Sequence, residues 1–199
     1  DIVLCVLLIS AHFFLCSNKE FFNQFVKSNS TVVSLFSPQD DLKEYFIDLI
    51  ACEQQEIFLA SYNITSEAVV ASLIDAQNQR NINVEVVTDK EGLSCYNEQI
   101  SHMWKAGIPV YVIGKYSALM HNKYAVFEKN IGSRALVWTG SANITERGLG
   151  KKNYENCLVV SDTEVVKKYK KNFGFLKYIA QKQCSKTIDI TTKGSKKIA

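Results

Sequence analysis

From residue 31 to residue 114 the chain alternates between β-branched apolar runs and stretches whose apolar residues repeat at helical spacing, and this alternation narrows the possible folds more than any other feature. "TVVSLFSP" (31–38) reads as a strand stopped by proline. In the "QDDLKEYFIDLIAC" that follows, Leu42, Phe46, Leu49 and Ile50 fall on one helical face. "EIFLASYNI" (56–64) is a second strand, and Thr65 or Ser66 caps a helix carrying Ala68, Val69, Leu73 and Ile74. "INVEVVTD" (82–89), a helix near 95–106 closed by Gly107, and "IPVYVIG" (108–114) continue the pattern. Strand–helix–strand units of this length place strands parallel with helices packed on them. The expected class is therefore α/β, a mixed and mostly parallel sheet flanked by helices on both faces.

After residue 114 the rhythm changes. "ALMHNKYAVFE" and "RALVWTGSAN" are strands separated only by the turn "KNIGSR", and "ENCLVVSD" follows a polar, glycine-containing loop, so these are neighbours in the same sheet. With 199 residues, 47% of them apolar, the chain supports one sizeable core. We expect one catalytic-size domain over 31–183, an apolar leader over 1–17 and a flexible, polar, basic tail over 184–199. No internal repeat is present, so a function that needs two copies of a motif must take the second from another chain.

Net charge is only +3, but it is unevenly spread: from Thr163 onward ten lysines face only Glu164 and Asp189. Lys167, Lys168, Lys170 and Lys171 interleave with Val165, Val166, Tyr169, Phe173 and Leu176 at helical spacing. That pattern fits an amphipathic closing helix with a solvated lysine face, and also a face that binds a polyanion. The run "IVLCVLLISAHFFLC" (2–16) is shorter than the ~20 residues of a bilayer-spanning helix and within reach of a signal-peptide core. Export, or anchoring at a membrane through this segment, is the expectation, with a buried first helix as the plain alternative. The six cysteines form no C-x-x-C pair and no cysteine–histidine cluster with zinc spacing, so no structural metal is expected and most cysteines read as small buried hydrophobes.

The chemistry gathers in two stretches. His121 and Lys123, two apart in a strand, share a face, and so do Ser141 and Asn143 in "TGSANIT". If the two strands are neighbours, an imidazole, an ammonium, a hydroxyl and a carboxamide converge at their ends. Such a set suits an oxyanion, with the imidazole as nucleophile or proton carrier. Glu155, in "KKNYENCLVV", begins the next strand and is placed to accept the other ring N–H of His121, fixing its tautomer. Arg147, Lys151 and Lys152 lie in the intervening loop, where they supply phosphate-contacting charge or are simply solvated. Each of these residues alone has an ordinary structural explanation; their order and combination do not.

"HNKYAVFE", then "TGSANIT", then "NYEN" resemble the phospholipase D superfamily, whose signature is H-x-K-x(4)-D followed by G-[ST]-x-N. Over roughly residues 31–180 the order of motifs is most similar to its small single-motif branch, which includes bacterial endonucleases and the mitochondrial cardiolipin hydrolase. One position departs from the signature: Glu128 stands where the family has aspartate. It lies an odd number of residues from His121 and so faces away in a regular strand, which gives it a structural or supporting role.

The resemblance implies a phosphodiesterase that works through a phosphohistidine. His121 attacks phosphorus, Lys123, Ser141 and Asn143 hold the non-bridging oxygens, and neither a metal nor another cofactor takes part. Two histidines are called for and the chain has one H-x-K. A homodimer pairing His121 with its mate across a two-fold axis is expected, with a bell-shaped pH profile. The leading expectation is an endonuclease cleaving DNA or RNA. A phospholipase or cardiolipin hydrolase is the alternative, and a non-catalytic polyanion-binding module the second.

Overall fold

The computed structural model describes residues 31–93, 98–114 and 118–194. The apolar leader, His12 and Cys5, Cys16 and Cys95 lie outside the described residues. The elements run β1 (Val32–Phe36), α1 (Leu42–Cys52), β2 (Glu56–Ser61), α2 (Glu67–Arg80), β3 (Asn83–Asp89), a 3₁₀ turn (Lys90–Leu93), α3 (Glu98–Lys105), β4 (Val110–Ile113), β5 (Lys123–Phe127), a second 3₁₀ turn (Ile131–Ser133), β6 (Leu136–Gly140), β7 (Asn156–Val160) and α4 (Thr163–Gly194). Every strand and helix anticipated over 31–180 is present. The closing helix continues through residue 194, into the stretch read as a tail.

The seven described strands form one sheet in the order β1-β7-β6-β5-β2-β3-β4. It is mixed, with helices on both faces, but it is less parallel than the alternation suggested. The pairs β2/β3 and β3/β4 are parallel, whereas β5 runs antiparallel to β2, β6 to β5, β7 to β6 and β1 to β7. Parallel pairing requires a crossover, usually helical, and the β2–β4 segment has crossover helices; β5, β6 and β7 follow one another through a turn and a loop.

Alternation along each strand sorts the side chains onto two cores. On one face Phe46 of α1 packs edge-on against Phe127 (6.0 Å) and Trp138 (5.2 Å), with Leu59, Leu73 and Ile100 fully or nearly buried around them. Side chains of that size contribute about 1.5–3 kcal/mol each on full burial. On the other face α4 lays Val166, Phe173, Leu176 and Ala180 over Phe58, Tyr124 and Val126, with the Phe58 and Phe173 rings 5.1 Å apart. Cys157 is buried and unbridged, its thiol pushed up to about 12 by desolvation, while Cys52 is disulfide-bonded. Among the described residues no helix is long and apolar enough to cross a membrane.

The lysines of α4 are partly spoken for. Lys170 pairs with Glu128 at 3.0 Å, Lys177 with Glu85 at 2.6 Å and Lys167 with Glu164 at 2.8 Å. Glu128 therefore lies on the α4 face, while Lys123 lies on the face shared by Ala125 and Phe127. Five residues of strand separate the two side chains, roughly 17 Å at ~3.3 Å per residue. Glu128→Asp is expected to leave turnover within about threefold and to change stability by about 1 kcal/mol or less, the range of a partly solvated ion pair. Steady-state rates and urea unfolding check this, and a many-fold gain in activity would place the residue in the site after all.

Candidate active site

Because of the strand directions, one edge of the sheet gathers the C-terminal ends of β1, β2, β3 and β6 with the N-terminal ends of β5 and β7. His121 sits two residues before β5 and is exposed; it is not itself in the strand. Its backbone entry is fixed by Asp89, a buried carboxylate at the end of β3 that accepts the Met120 N–H at 2.7 Å and the Glu91 N–H at 3.0 Å. The Lys123 ammonium lies 3.2 Å from His121 Nδ1, 3.3 Å from Nε2 and 2.9 Å from the His121 carbonyl. Burial lowers the Lys123 pKa below the ordinary lysine value, and the Glu155 carboxylate opposes that shift by favouring the charged form.

Ser141 follows directly on β6 and Glu155 directly precedes β7, so the ladder between these strands brings them together. The Ser141 hydroxyl donates a short hydrogen bond to Glu155 Oε2 and accepts the Asn156 N–H at 3.1 Å. Asn153 Nδ2 donates to Glu155 Oε1 at 3.0 Å. The carboxylate was expected on the imidazole; here its hydrogen bonds go to Ser141 and Asn153 instead, because pairing Gly140 with Cys157 carries Ser141 against the start of β7. Asn143, two residues beyond Ser141, is half-buried, and its Oδ1 is buried with no hydrogen-bond partner. An amide oxygen only accepts, so it is the Asn143 Nδ2, not this Oδ1, that can donate to an anionic oxygen.

Around these side chains the loop from 141 to 155 is tied down. Ser66 immediately precedes α2, but its hydroxyl, expected to cap that helix, donates to Glu146 at 2.6 Å instead. Lys43 also reaches Glu146, at 3.0 Å, and these two hydrogen bonds hold the carboxyl below its usual range. Arg147, Lys151 and Lys152 are exposed on this loop, with Lys151 3.6 Å from Asp41. His102 is exposed on α3, away from the site. Among the described residues no cluster of three or more histidine, cysteine or acidic side chains could hold a metal.

Three residues escaped the sequence reading. Ser37, buried at the end of β1, donates to the Asn153 carbonyl at 2.6 Å and accepts the Glu155 N–H at 3.0 Å, holding the segment that carries the carboxylate. Asp89 acts on the His121 segment as described. Tyr62 packs its ring against the imidazole, with centroids 4.8 Å apart. The proline after Ser37 and the aspartate ending "VVTD" were visible signals; their partners, far along the chain, were not.

Comparison with known proteins agrees with this architecture. Residues 46–176 match the family model described as cardiolipin synthase, PLD-like domain. A phospholipase D of Rickettsia bellii is 30% identical over 146 residues, 73% of this chain and 69% of that protein. The mitochondrial cardiolipin hydrolase of Xenopus laevis is 31% identical over 120 residues, 60% of this chain and 53% of that one. In fold, the chain is similar to NUC from Salmonella typhimurium (TM-score 0.62, 22% identity, 72% of this chain and 91% of NUC). It is likewise similar to NucT from Helicobacter pylori (TM-score 0.65, 20% identity, 73% and 94%). A family model spanning most of the sheet, and a relative at 30% identity that aligns over most of both chains, lead to one conclusion: this chain belongs to the phospholipase D superfamily, in its small branch.

Proposed function

We propose that this phosphodiesterase of the phospholipase D superfamily is a metal-independent endonuclease that cleaves DNA or RNA with His121 as nucleophile. The observation that carries the reading is the Lys123 ammonium within 3.2 and 3.3 Å of the two imidazole nitrogens, at the strand ends where Ser141 and Asn143 also stand. A phosphodiester needs such a pairing, a nucleophile for phosphorus beside positive charge for its non-bridging oxygens. One ring nitrogen of His121 forms a bond to phosphorus as the bond to the leaving oxygen breaks, and a general acid protonates that oxygen. Water then attacks phosphorus and the P–N bond breaks, restoring the imidazole. Glu155 accepts the Ser141 hydroxyl and an Asn153 N–H, which holds the end of β6 against the start of β7 at this site. Arg147, Lys151 and Lys152, exposed beside it, supply charge for flanking phosphates.

The general acid, in this reading, is His121 of a second copy, brought in by a two-fold homodimer. A lipid diester is the second reading, favoured by the relatives named phospholipase D and cardiolipin hydrolase and by the apolar run at 2–16, which would export the chain or hold its site near a bilayer. The test incubates the full chain in EDTA with end-labelled DNA and RNA oligonucleotides and with cardiolipin vesicles, and sediments the same preparation. Oligonucleotide cleavage by a dimer is the expected result. Turnover of lipid alone moves the protein to the second reading, an active monomer removes the shared-site scheme, and binding of oligonucleotides without cleavage makes the fold a polyanion-binding module.

A further inference from the structure

We propose that Tyr62 is a positioning residue for the reaction, an aromatic wall that sets the plane of the His121 imidazole for attack on phosphorus. The inference rests on the reading of His121 as nucleophile. His121 is exposed and precedes its strand, so the ladder that orders β5 does not hold its side chain. Asp89 fixes the backbone just before it, but a backbone contact leaves the imidazole free to rotate. The Lys123 ammonium meets the ring nitrogens, and the ring of Tyr62 adds a second restraint on the imidazole, 4.8 Å from its centroid at an interplanar angle of 51°. The Lys123 ammonium lies 5.4 Å from the same ring's centroid. One aromatic ring thus meets both groups that a phosphoryl centre would engage, and its quadrupole favours the positive charge each of them carries during turnover.

The backbone of Tyr62 is held as a wall must be. Its N–H donates to the Asn122 carbonyl at 3.0 Å, tying it to the residue between His121 and Lys123. The Thr88 hydroxyl donates to the Ser61 carbonyl at 2.9 Å and reaches the Tyr62 carbonyl at 3.4 Å. On the remaining side the 3₁₀ turn after β3 presses in at Gly92, where a Cβ would come within 2.7 Å of the Tyr62 carbonyl oxygen. A side chain at 92 would displace this backbone. It is the ring of Tyr62 that meets the imidazole and the ammonium.

The experiment compares the full-length wild type with Tyr62→Phe, Tyr62→Leu, Tyr62→Met and His121→Ala on an activated phosphodiester in EDTA. It measures kcat and KM together with the NMR chemical shifts of the His121 ring protons. Tyr62→Phe is expected to keep kcat within about twofold, and the two aliphatic variants to lose roughly 10- to 100-fold in kcat with little change in KM, the loss of a misaligned nucleophile. The ring-current shift of His121 should persist in Tyr62→Phe and vanish in Tyr62→Leu and Tyr62→Met. Two aliphatic variants guard against one that fails to fold. Wild-type kcat in either aliphatic variant, with His121→Ala inactive, overturns the inference alone. A Tyr62→Phe variant as slow as Tyr62→Leu overturns it in favour of the hydroxyl. Full activity in His121→Ala overturns the nucleophile assignment and this inference with it.

Discussion

Replacement of His121 by alanine is expected to lower phosphodiester cleavage by about 10⁴-fold or more, the scale on which enzymes lose turnover when their covalent nucleophile is removed. The fold should be almost unaffected. The imidazole is exposed, and its side-chain contacts are with Tyr62 and Lys123, not with either core. The loss therefore belongs to chemistry, and the urea midpoint should move by less than about 0.5 kcal/mol equivalent, as for a surface substitution. Two further measurements separate a nucleophile from a residue that merely binds. Acid quenching during turnover should trap acid-labile phosphate on the wild type and none on His121→Ala. Added imidazole should also restore part of the rate, because the alanine leaves room beside Lys123 for a free ring. A variant that keeps a tenth of the wild-type rate would end the assignment.

The order of the motifs made much of this site legible, although only Lys123 lies within a strand: His121 precedes β5, Ser141 and Asn143 follow β6, and Glu155 precedes β7. His121 and Lys123 share an edge, and Ser141, Asn143 and Glu155 flank the ladder between β6 and β7, as their spacing in the chain implied. Strand parity sent Glu128 to the opposite face, where Lys170 meets it at 3.0 Å. What sequence periodicity cannot carry is strand direction. The β-branched run before "MHNK" reads the same whether the next strand enters parallel or antiparallel, and only the turn-and-loop connections of β5 to β7 decide for antiparallel. Long-range hydrogen bonding was equally hidden. Ser37 and Glu155 are 118 residues apart, and Asp89 is 31 from Met120, yet the Glu155 and His121 segments are placed by these bonds. The lysine face of α4 misled in the same way: its partners Glu56, Glu85 and Glu128 sit on or beside strands, so charge that looked available for a polyanion is partly neutralised against the sheet.

Gly140→Ala is expected to be the most damaging single substitution outside the reacting groups. Gly140 ends β6 opposite Cys157, and a Cβ there would lie 2.0 Å from the Asn156 carbonyl oxygen and 2.8 Å from Cys157 Cα. Both are backbone atoms of the paired strand, so no rotamer change relieves the overlap; β6 and β7 must separate. The carbonyl in the way is the one that accepts the Ser141 N–H at 3.0 Å, so separation breaks that bond and parts Ser141 from Glu155. Overpacking of this kind destabilises by about 1–3 kcal/mol and at times more, and a displacement near 1 Å at a reacting site lowers rate by about 10²-fold. Gly174→Ala is the control, because a Cβ on that exposed turn of α4 meets nothing within 4 Å. There the gain in helix propensity should raise stability by about 0.5–1 kcal/mol and leave kcat alone. Urea midpoints and kcat for the pair decide the matter: stability falling with rate at 140 and rising without rate change at 174 ties the glycine of "TGSAN" to the closeness of two strands. A Gly140→Ala protein as stable and active as Gly174→Ala would mean that β6 and β7 do not pack at this spacing in solution.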